Sequence, residues 1–318
     1  MAQLAVITHN AIKDMGVFFD CYIPVQKNIS TVYPADKLSD LNGFDAGLVN
    51  FWSFMLQNYS LNMVTIILPF TVLLLNYVFV CGFMWFIEQC DFSFLRKYKI
   101  QPKKYNSGSK IFWATLYLLY TYFVIILPMY TAAFYILSQV DYFSLEVFDV
   151  PNWKTLVWQI AVCLFFEDFG HYWLHRWMHT PWAYKVIHRR HHEFDAPSSL
   201  STSYAHPVEI VIQGIATFLG PIILRPHILT LFIWVNVRQL AACETHSGYD
   251  FPFSPNNILP FFGGADLHDF HHRTYNGAYS SNFVWWDVLC GTDNGYFEWK
   301  KKQQSKREKD TSDEKKDN

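Results

Sequence analysis

Residues 61–87 read LNMVTIILPFTVLLLNYVFVCGFMWFI, 27 residues without a charged side chain. As a helix rising ~1.5 Å per residue, such a run is longer than the ~30 Å hydrocarbon core of a bilayer. Residues 111–140, IFWATLYLLYTYFVIILPMYTAAFYILSQV, make a second uncharged run of 30. Buried helices of a large soluble protein are the alternative, but these rarely run so long without a charge, so both stretches read as membrane spans. Pro69 and Pro128 lie inside them, and spanning helices tolerate proline better than soluble ones do. The second run is long enough to tilt, or to break at Pro128.

Two shorter apolar stretches follow. Residues 155–166 (TLVWQIAVCLFF) are uncharged, and residues 208–243 carry Gly220-Pro221 and Arg225-Pro226 near their middle. The latter pattern suggests a helical hairpin turning near Arg225. The total is about four spans. Arg96, Lys97, Lys99, Lys103, Lys104 and Lys110 stand between the first two runs against only Glu88 and Asp91, which puts that loop in the cytoplasm. A span from about residue 155 then returns the chain to the cytoplasmic face.

The 318 residues would suffice for two soluble domains, and the net charge of −2 with no basic stripe gives no reason to invoke nucleic acid. The six cysteines are scattered without a C-x-x-C pair, so neither a disulfide framework nor a cysteine zinc site is expected. No N-terminal signal peptide is evident. Asn28-Ile29-Ser30 and Asn58-Tyr59-Ser60 match the glycosylation acceptor pattern, which is common by chance. Residues 300–318 form a charged tail expected to be disordered. It ends Lys315-Lys316-Asp317-Asn318, similar to the dilysine retrieval signal of endoplasmic-reticulum membrane proteins.

Twelve of the thirteen histidines fall between His171 and His272, and only His9 lies outside. A solvated surface would not cluster them so. The first group, EDFGHYWLHRWMH, holds His171, His175 and His179. The second, IHRRHH, holds His188, His191 and His192, and the third, GGADLHDFHHR, holds His268, His271 and His272. On a helix, residues at i, i+3 and i+4 share a face, so imidazoles so spaced can reach one metal ion. A lone H-x-x-x-H is weak evidence; two H-x-x-H-H boxes downstream of it are strong.

The boxes supply eight histidines as ligands, and His246 in ETHSGYD makes a ninth. That is too many for one four-coordinate ion and suits two. Imidazole alone does not select the metal, since zinc, copper, iron and nickel all accept it. Glu167, Asp168, Glu193, Glu244 and Asp269 accompany the boxes and read as acceptors for the outward N–H groups of the rings. His179 is placed with these supporting residues rather than with the ligands. Tyr204, His206 and Tyr249 are candidates to face the substrate, while His227 at the far turn has no expected part in the site. The WWD stretch Trp285, Trp286 and Asp287 reads as packing.

The fold expected is therefore all-α: an integral membrane helical protein with about four transmembrane helices and a cytoplasmic helical cap holding a histidine-rich dimetal site. Its segments are an N-terminal lumenal or interfacial stretch (1–60), the first spans with their basic loop (61–155), a catalytic domain with the three boxes and a membrane hairpin (156–299), and the tail (300–318).

The order H-x-x-x-H, H-x-x-H-H, H-x-x-H-H after membrane spans resembles the fatty acid hydroxylase/sterol desaturase superfamily. EDFGHYWLHRWMH, IHRRHHEFDAP, YAHPVE, ETHSGYDFPFSP, PFFGGADLHDFHH and SNFVWWDVLCGTDNGY look most like its branch of methylsterol monooxygenases, the sterol 4-methyl oxidases. The resemblance covers roughly residues 167–296 and does not extend clearly into residues 1–50. It implies two iron ions and dioxygen as co-substrate. It also implies electrons from NAD(P)H through cytochrome b5 and its reductase, a sterol substrate drawn from the bilayer, and an endoplasmic-reticulum membrane with boxes and C-terminus cytoplasmic. Carried over, the ligands are His171, His175, His188, His191, His192, His246, His268, His271 and His272.

Two departures bear on substrate. Leu267 stands where many members have His or Tyr before the third box, and Ser198-Ser199-Leu200-Ser201-Thr202-Ser203 replaces a bulky residue and Gly. Both sites are expected to line the approach to the metals. Another lipid hydroxylase, desaturase or sterol side-chain dealkylase of the superfamily is thus an alternative. A zinc-binding membrane protein without catalysis is a further one, although a transporter would place its ligands inside a span.

Overall fold

A computed structural model describes residues 29–314, with side chains to residue 306. The N-terminal stretch in which no signal peptide was expected, His9, Cys21, Asn28 and Lys315-Lys316 lie outside the described residues. Among the described residues, three helices are long and apolar enough to cross a membrane: α2 (Met63–Cys90), α3 (Gly108–Ser138) and α6 (Pro207–Leu224). They follow α1 (Gly43–Asn58), whose N-cap Asn42 accepts from the backbone N–H of Phe44 and Asp45. Between α3 and α6 runs α4 (Trp153–Met178), 26 residues or ~39 Å. That is long enough to span, but Glu167, Asp168 and the first histidines lower its hydropathy. The hairpin expected in residues 208–243 is present as α6 and α7 (Ile228–Thr245), joined at Arg225 with φ 49°. The about four spans of the sequence reading therefore meet three helices that qualify among the described residues.

The chain divides into two compact units. The first holds Met1–Asn76, Tyr122–Leu164 and Leu219–Val237. In it the indole of Trp52 donates to the Leu145 carbonyl at 2.9 Å, and the Tyr130 hydroxyl to the Thr65 carbonyl at 2.9 Å. Gly220 of α6 lies where a Cβ would stand 2.5 Å from Cys163 Cα of α4, a small-residue contact that lets helix backbones approach closely. His227 accepts from the Leu229 N–H at 3.1 Å and packs edge-on against Trp52.

The second unit holds Tyr77–Thr121, Phe165–Phe218 and Arg238–Asn318, and all three histidine boxes. After α4, Pro181 starts α5 (Pro181–Val186) at a position where its missing N–H costs nothing. The second box then forms a 3-10 helix, His188–Glu193, instead of the α-helix the spacing suggested. Eclipsed i and i+3 positions still gather its rings. The third box forms α8 (Gly264–Thr274), ended by Tyr275 in the left-handed conformation. α9 (Trp285–Cys290) follows. The tail, expected disordered from Lys300, continues as α10 (Tyr296–Glu314). Tyr296, buried against Leu267 and Phe270, and Trp299, partly buried on the same cluster, anchor its first turn.

The basic loop packs onto the second box. Lys104 pairs with Asp195 at 2.7 Å, Lys110 Nζ donates to the Glu193 carbonyl, and Asn106 to the Ala196 carbonyl at 3.1 Å. Gln101 bridges the Asp195 carbonyl and Asp269, both at 2.9 Å.

Candidate metal centre

Nine histidines converge in two groups. His175, His179, His188, His192 and His271 form one, and His191, His246, His268 and His272 the other, with ligand atoms in each within 4.8 Å of one another. Eight of the nine are buried and His179 is partly so. Each H-x-x-H-H box feeds both groups: His188 and His192 against His191, and His271 against His268 and His272. The groups are consequently adjacent, with the rings of His192 and His272 4.5 Å apart between centroids.

The outward nitrogens are held mainly by backbone. Nδ1–H groups donate from His175 to the Tyr279 carbonyl at 2.8 Å, from His246 to Ala242 at 2.8 Å, from His271 to Gly277 at 2.8 Å and from His272 to Phe194 at 2.9 Å. His188 Nδ1 meets a carboxylate, Glu209 Oε1, at 2.8 Å. A carbonyl only accepts, so Nδ1 carries the proton and the Nε2 lone pair points inward.

The inward Nε2 atoms of the grouped rings lie close to one another. Nε2 separations are 3.2 Å for His175–His188, 3.0 Å for His188–His192 and 3.2 Å for His192–His271. In the other group they are 3.3 Å for His191–His246, 2.8 Å for His246–His268 and 3.0 Å for His268–His272. The carbonyls fix inward Nε2 lone pairs on His175 and His271 in one group and on His246 and His272 in the other, and a cation is what such convergent lone pairs suit. A tetrahedral ion with metal–nitrogen bonds near 2.0–2.1 Å sets ligand edges of about 3.3 Å. The donor set fits a metal in each group.

Burial, reinforced by neighbouring rings, holds His188, His191, His192, His268, His271 and His272 far below the ordinary imidazole range. Burial takes His179 down to about 2 and His246 to about 4. These rings are neutral at neutral pH, the form in which an imidazole can bind a metal.

His171 lies outside both groups, its ring 5.2 Å from that of His175 and its Nδ1 3.7 Å from Glu167. His179, set among the supporting residues by sequence, stands in the five-member group, 3.2 Å from His192. Glu167 binds Arg238 at 2.5 Å and Asn282 at 2.8 Å. Asp168 accepts from the N–H groups of Asn282 and Phe283 and from the Trp285 indole at 2.9–3.1 Å. Asp269 meets Arg273 at 3.0 Å and Gln101, and burial raises it to about 6. Glu193 accepts from Tyr204 at 3.0 Å. Glu244 is an acid of α7 whose Oε1 is buried without a donor. The expected acids thus shape the surrounding loops, and none lies within hydrogen-bond distance of a grouped ring. Asp287 of the WWD stretch is such a support, taking the N–H groups of Tyr279 and Ser280 at 2.9 Å and so aiming the Tyr279 carbonyl at His175.

His206 Nδ1 accepts from Val208 at the start of α6 at 3.2 Å, and Tyr249 is buried, stacked on Phe251. The serine run is a 3-10 helix, Ser199–Ser203. There Ser201 bonds the Ser198 carbonyl and Ser199 the Cys243 carbonyl, both at 2.8 Å. Leu267 is core. Glu209 was not singled out by sequence reasoning, although an acid in an apolar run is the signal that finds it.

Fold and site define a helical membrane protein whose histidines are gathered into two groups suited to metal ions. A model of the fatty acid hydroxylase family matches residues 160–292. The chain is 36% identical over 263 residues to methylsterol monooxygenase 1 of Gallus gallus, covering 81% of this chain and 86% of that protein. It is 40% identical over 248 residues to methylsterol monooxygenase 2-2 of Arabidopsis thaliana, covering 77% and 91%. It is 42% identical over 209 residues to very-long-chain aldehyde decarbonylase GL1-11 of Oryza sativa, covering 64% and 77%. No solved structure matches. The chain belongs to the fatty acid hydroxylase family.

Proposed function

We propose that this protein is a dioxygen-dependent membrane monooxygenase that oxidises the methyl group at carbon 4 of a sterol. The observation that carries the reading is the convergence of five and four histidine nitrogens in a chain similar over most of its length to proteins named methylsterol monooxygenase. The proposed ligands are His175, His179, His188, His192 and His271 for one iron, and His191, His246, His268 and His272 for the other, with His171 beside them. Iron held there supplies dioxygen activation, the redox chemistry that side chains lack.

One turnover inserts one oxygen atom into a C–H bond of the methyl group and reduces the other to water. Two electrons and two protons complete the balance, the electrons coming from NAD(P)H through cytochrome b5 and its reductase. Repetition carries the alcohol toward aldehyde and acid. The chain's part is to orient the rings through the Tyr279, Ala242, Gly277 and Phe194 carbonyls and to bury them from water. The apolar spans offer a sterol a lateral entry.

Orientation follows from the basic loop. Its lysines favour the cytoplasmic side, and Lys104 and Lys110 are bonded to the segment at the end of the second box. The boxes therefore share that face, where a soluble electron carrier domain docks, and the endoplasmic reticulum is the proposed membrane.

The rice relative's name supports a second reading, action on a long-chain lipid aldehyde. Lipid profiling after loss of the protein separates the two. Accumulation of 4-methyl sterols is the expected result. Unchanged sterols with altered long-chain aldehydes would move the assignment to the second reading. Purified protein containing only zinc and consuming no oxygen on reduction would remove both.

A further inference from the structure

Glu209 lies in the first turn of α6, whose sequence PVEIVIQGIATFLGPIIL holds no other charge. It is buried, 4% exposed, and a carboxylate in such a helix is costly unless a partner holds it. Its Oε1 meets His188 Nδ1 at 2.8 Å, while its Oε2 is buried without a donor. Among the described residues it is the only carboxylate within hydrogen-bond distance of a grouped imidazole. Glu167, Asp168, Asp269 and Glu193 are engaged with Arg238, the 282–285 loop, Arg273 and Tyr204 respectively.

The asymmetry is between groups. His175 and His271 of the first group, and His246 and His272 of the second, rest on neutral backbone carbonyls. Only the five-nitrogen group adds an anion behind one of its rings. Orientation alone does not require that anion, since four rings manage it with carbonyls. A glutamine would fill the same space and accept the same N–H, so what distinguishes Glu209 is its charge.

We infer that Glu209 is a positioning residue that makes the two metal positions unequal, so that the five-nitrogen position takes its ion more tightly. The inference rests on the reading of the two groups as metal sites. A carboxylate behind an imidazole raises the basicity of the nitrogen facing the ion and fixes the ring's plane, and losing such a partner costs roughly 10–100-fold in affinity.

The test is a cobalt(II) titration of metal-free full-length protein in detergent, followed by the visible absorption of the bound ion. The wild type shows two resolved steps. Glu209→Gln weakens the tighter step by roughly 10–100-fold and leaves the weaker step unmoved. His246→Ala, which depletes the four-nitrogen group, preserves the effect of Glu209→Gln; His188→Ala, which takes away the ring that Glu209 supports, removes it. Two equal steps in the wild type, no change in Glu209→Gln, or equal weakening of both steps overturns the inference while leaving the metal reading standing. A wild type that binds no cobalt overturns both. Should Glu209→Gln fail to fold, Glu209→Asp and Glu209→Asn replace it. These match in size and differ in charge, and equal affinities in that pair overturn the inference.

Discussion

The Nδ1–H of His272 donates to the carbonyl of Phe194 at 2.9 Å, tying the third histidine box to the segment that leaves the second. His272 also faces His191 and His268 through Nε2 at 3.2 and 3.0 Å. One ring therefore both completes the four-nitrogen group and joins two elements far apart in sequence.

His272→Ala leaves that group three nitrogens and leaves the other group's five intact. If each group holds one ion, as proposed, metal content is expected to fall from two ions per chain toward one, with a lower thermal midpoint. Elemental analysis of protein purified without added metal checks this, and a retained second ion would show that His272 is not a ligand.

Acid stability follows from the buried rings. His188, His191, His192, His268, His271 and His272 are held far below the ordinary imidazole range. Their unfolded-state value is about 6.5. Between these values the unfolded chain binds protons that the folded chain refuses, so stability falls as pH falls through about 6.5 and is unaffected well above it. Each ring contributes up to about 1.4 kcal/mol per pH unit in that window. Metal-free protein is expected to lose its melting midpoint steeply between about pH 7 and 5. Bound metal should reduce the loss near neutrality, because it stabilises the folded form. A flat profile for the metal-free form would contradict the burial of neutral rings.

Asp168 offers a test of the frame around the site. Its carboxylate accepts from Asn282 N, Phe283 N and Trp285 Nε1, and Asn282 in turn reaches Glu167. Asp168→Ala leaves three donors unmatched and is expected to cost about 3–5 kcal/mol, at 1–3 kcal/mol for each buried unsatisfied group with some relaxation. Asp168→Asn keeps one accepting oxygen and should cost less than half as much. Denaturant unfolding of the pair measures the difference, and equal losses would mean that the charge alone matters.

The histidine boxes were legible because three rings within one turn are a local signature that survives whatever backbone carries them. The 3-10 form of His188–Glu193 changes the helix type and still gathers the rings. The apolar spans of α2 and α3 were legible for the same kind of reason, since bilayer thickness sets a length that composition alone reveals. What orients the rings was not legible. The Tyr279, Gly277 and Phe194 carbonyls belong to the main chain, which every residue has, and only the fold aims them. The acids beside the boxes drew the eye by proximity in sequence, yet Asp168 and Asp269 point to loops and Arg273, while Glu209, seventeen positions beyond His192, supports His188. The assignment of His179 and His171 turned on the same limit. An i, i+4, i+8 ladder puts both on one face, and which end reaches the group depends on where α4 meets the other boxes.

Gly248 separates backbone need from side-chain chemistry near His246. Its φ is +73°, and a Cβ there would stand 2.7 Å from the Pro197 carbonyl oxygen. The left-handed conformation costs a residue with a side chain about 1–2 kcal/mol, before the clash with a backbone atom that cannot swing aside. Gly248→Ala is expected to destabilise by at least about 2 kcal/mol. It should also loosen the four-nitrogen group, because His246 lies two residues away. A melting curve with metal analysis checks both; an unchanged midpoint would mean the turn has another conformation.

The serine run gives the sharpest contrast between a substrate-facing and a structural role. Ser201 Oγ accepts from Ser198 N at 3.3 Å and donates to the Ser198 carbonyl, while Ser199 donates to the Cys243 carbonyl. Both side chains are buried, and the Tyr77 hydroxyl closes the turn on the Leu200 carbonyl at 2.8 Å. Hydroxyls so engaged have little left to offer a ligand. Ser201→Ala is therefore expected to cost about 1 kcal/mol of stability with the KM for sterol unchanged. Steady-state oxidation of a 4-methyl sterol beside a denaturation curve reads the two quantities separately. A KM raised severalfold with stability intact would return the run to the substrate path.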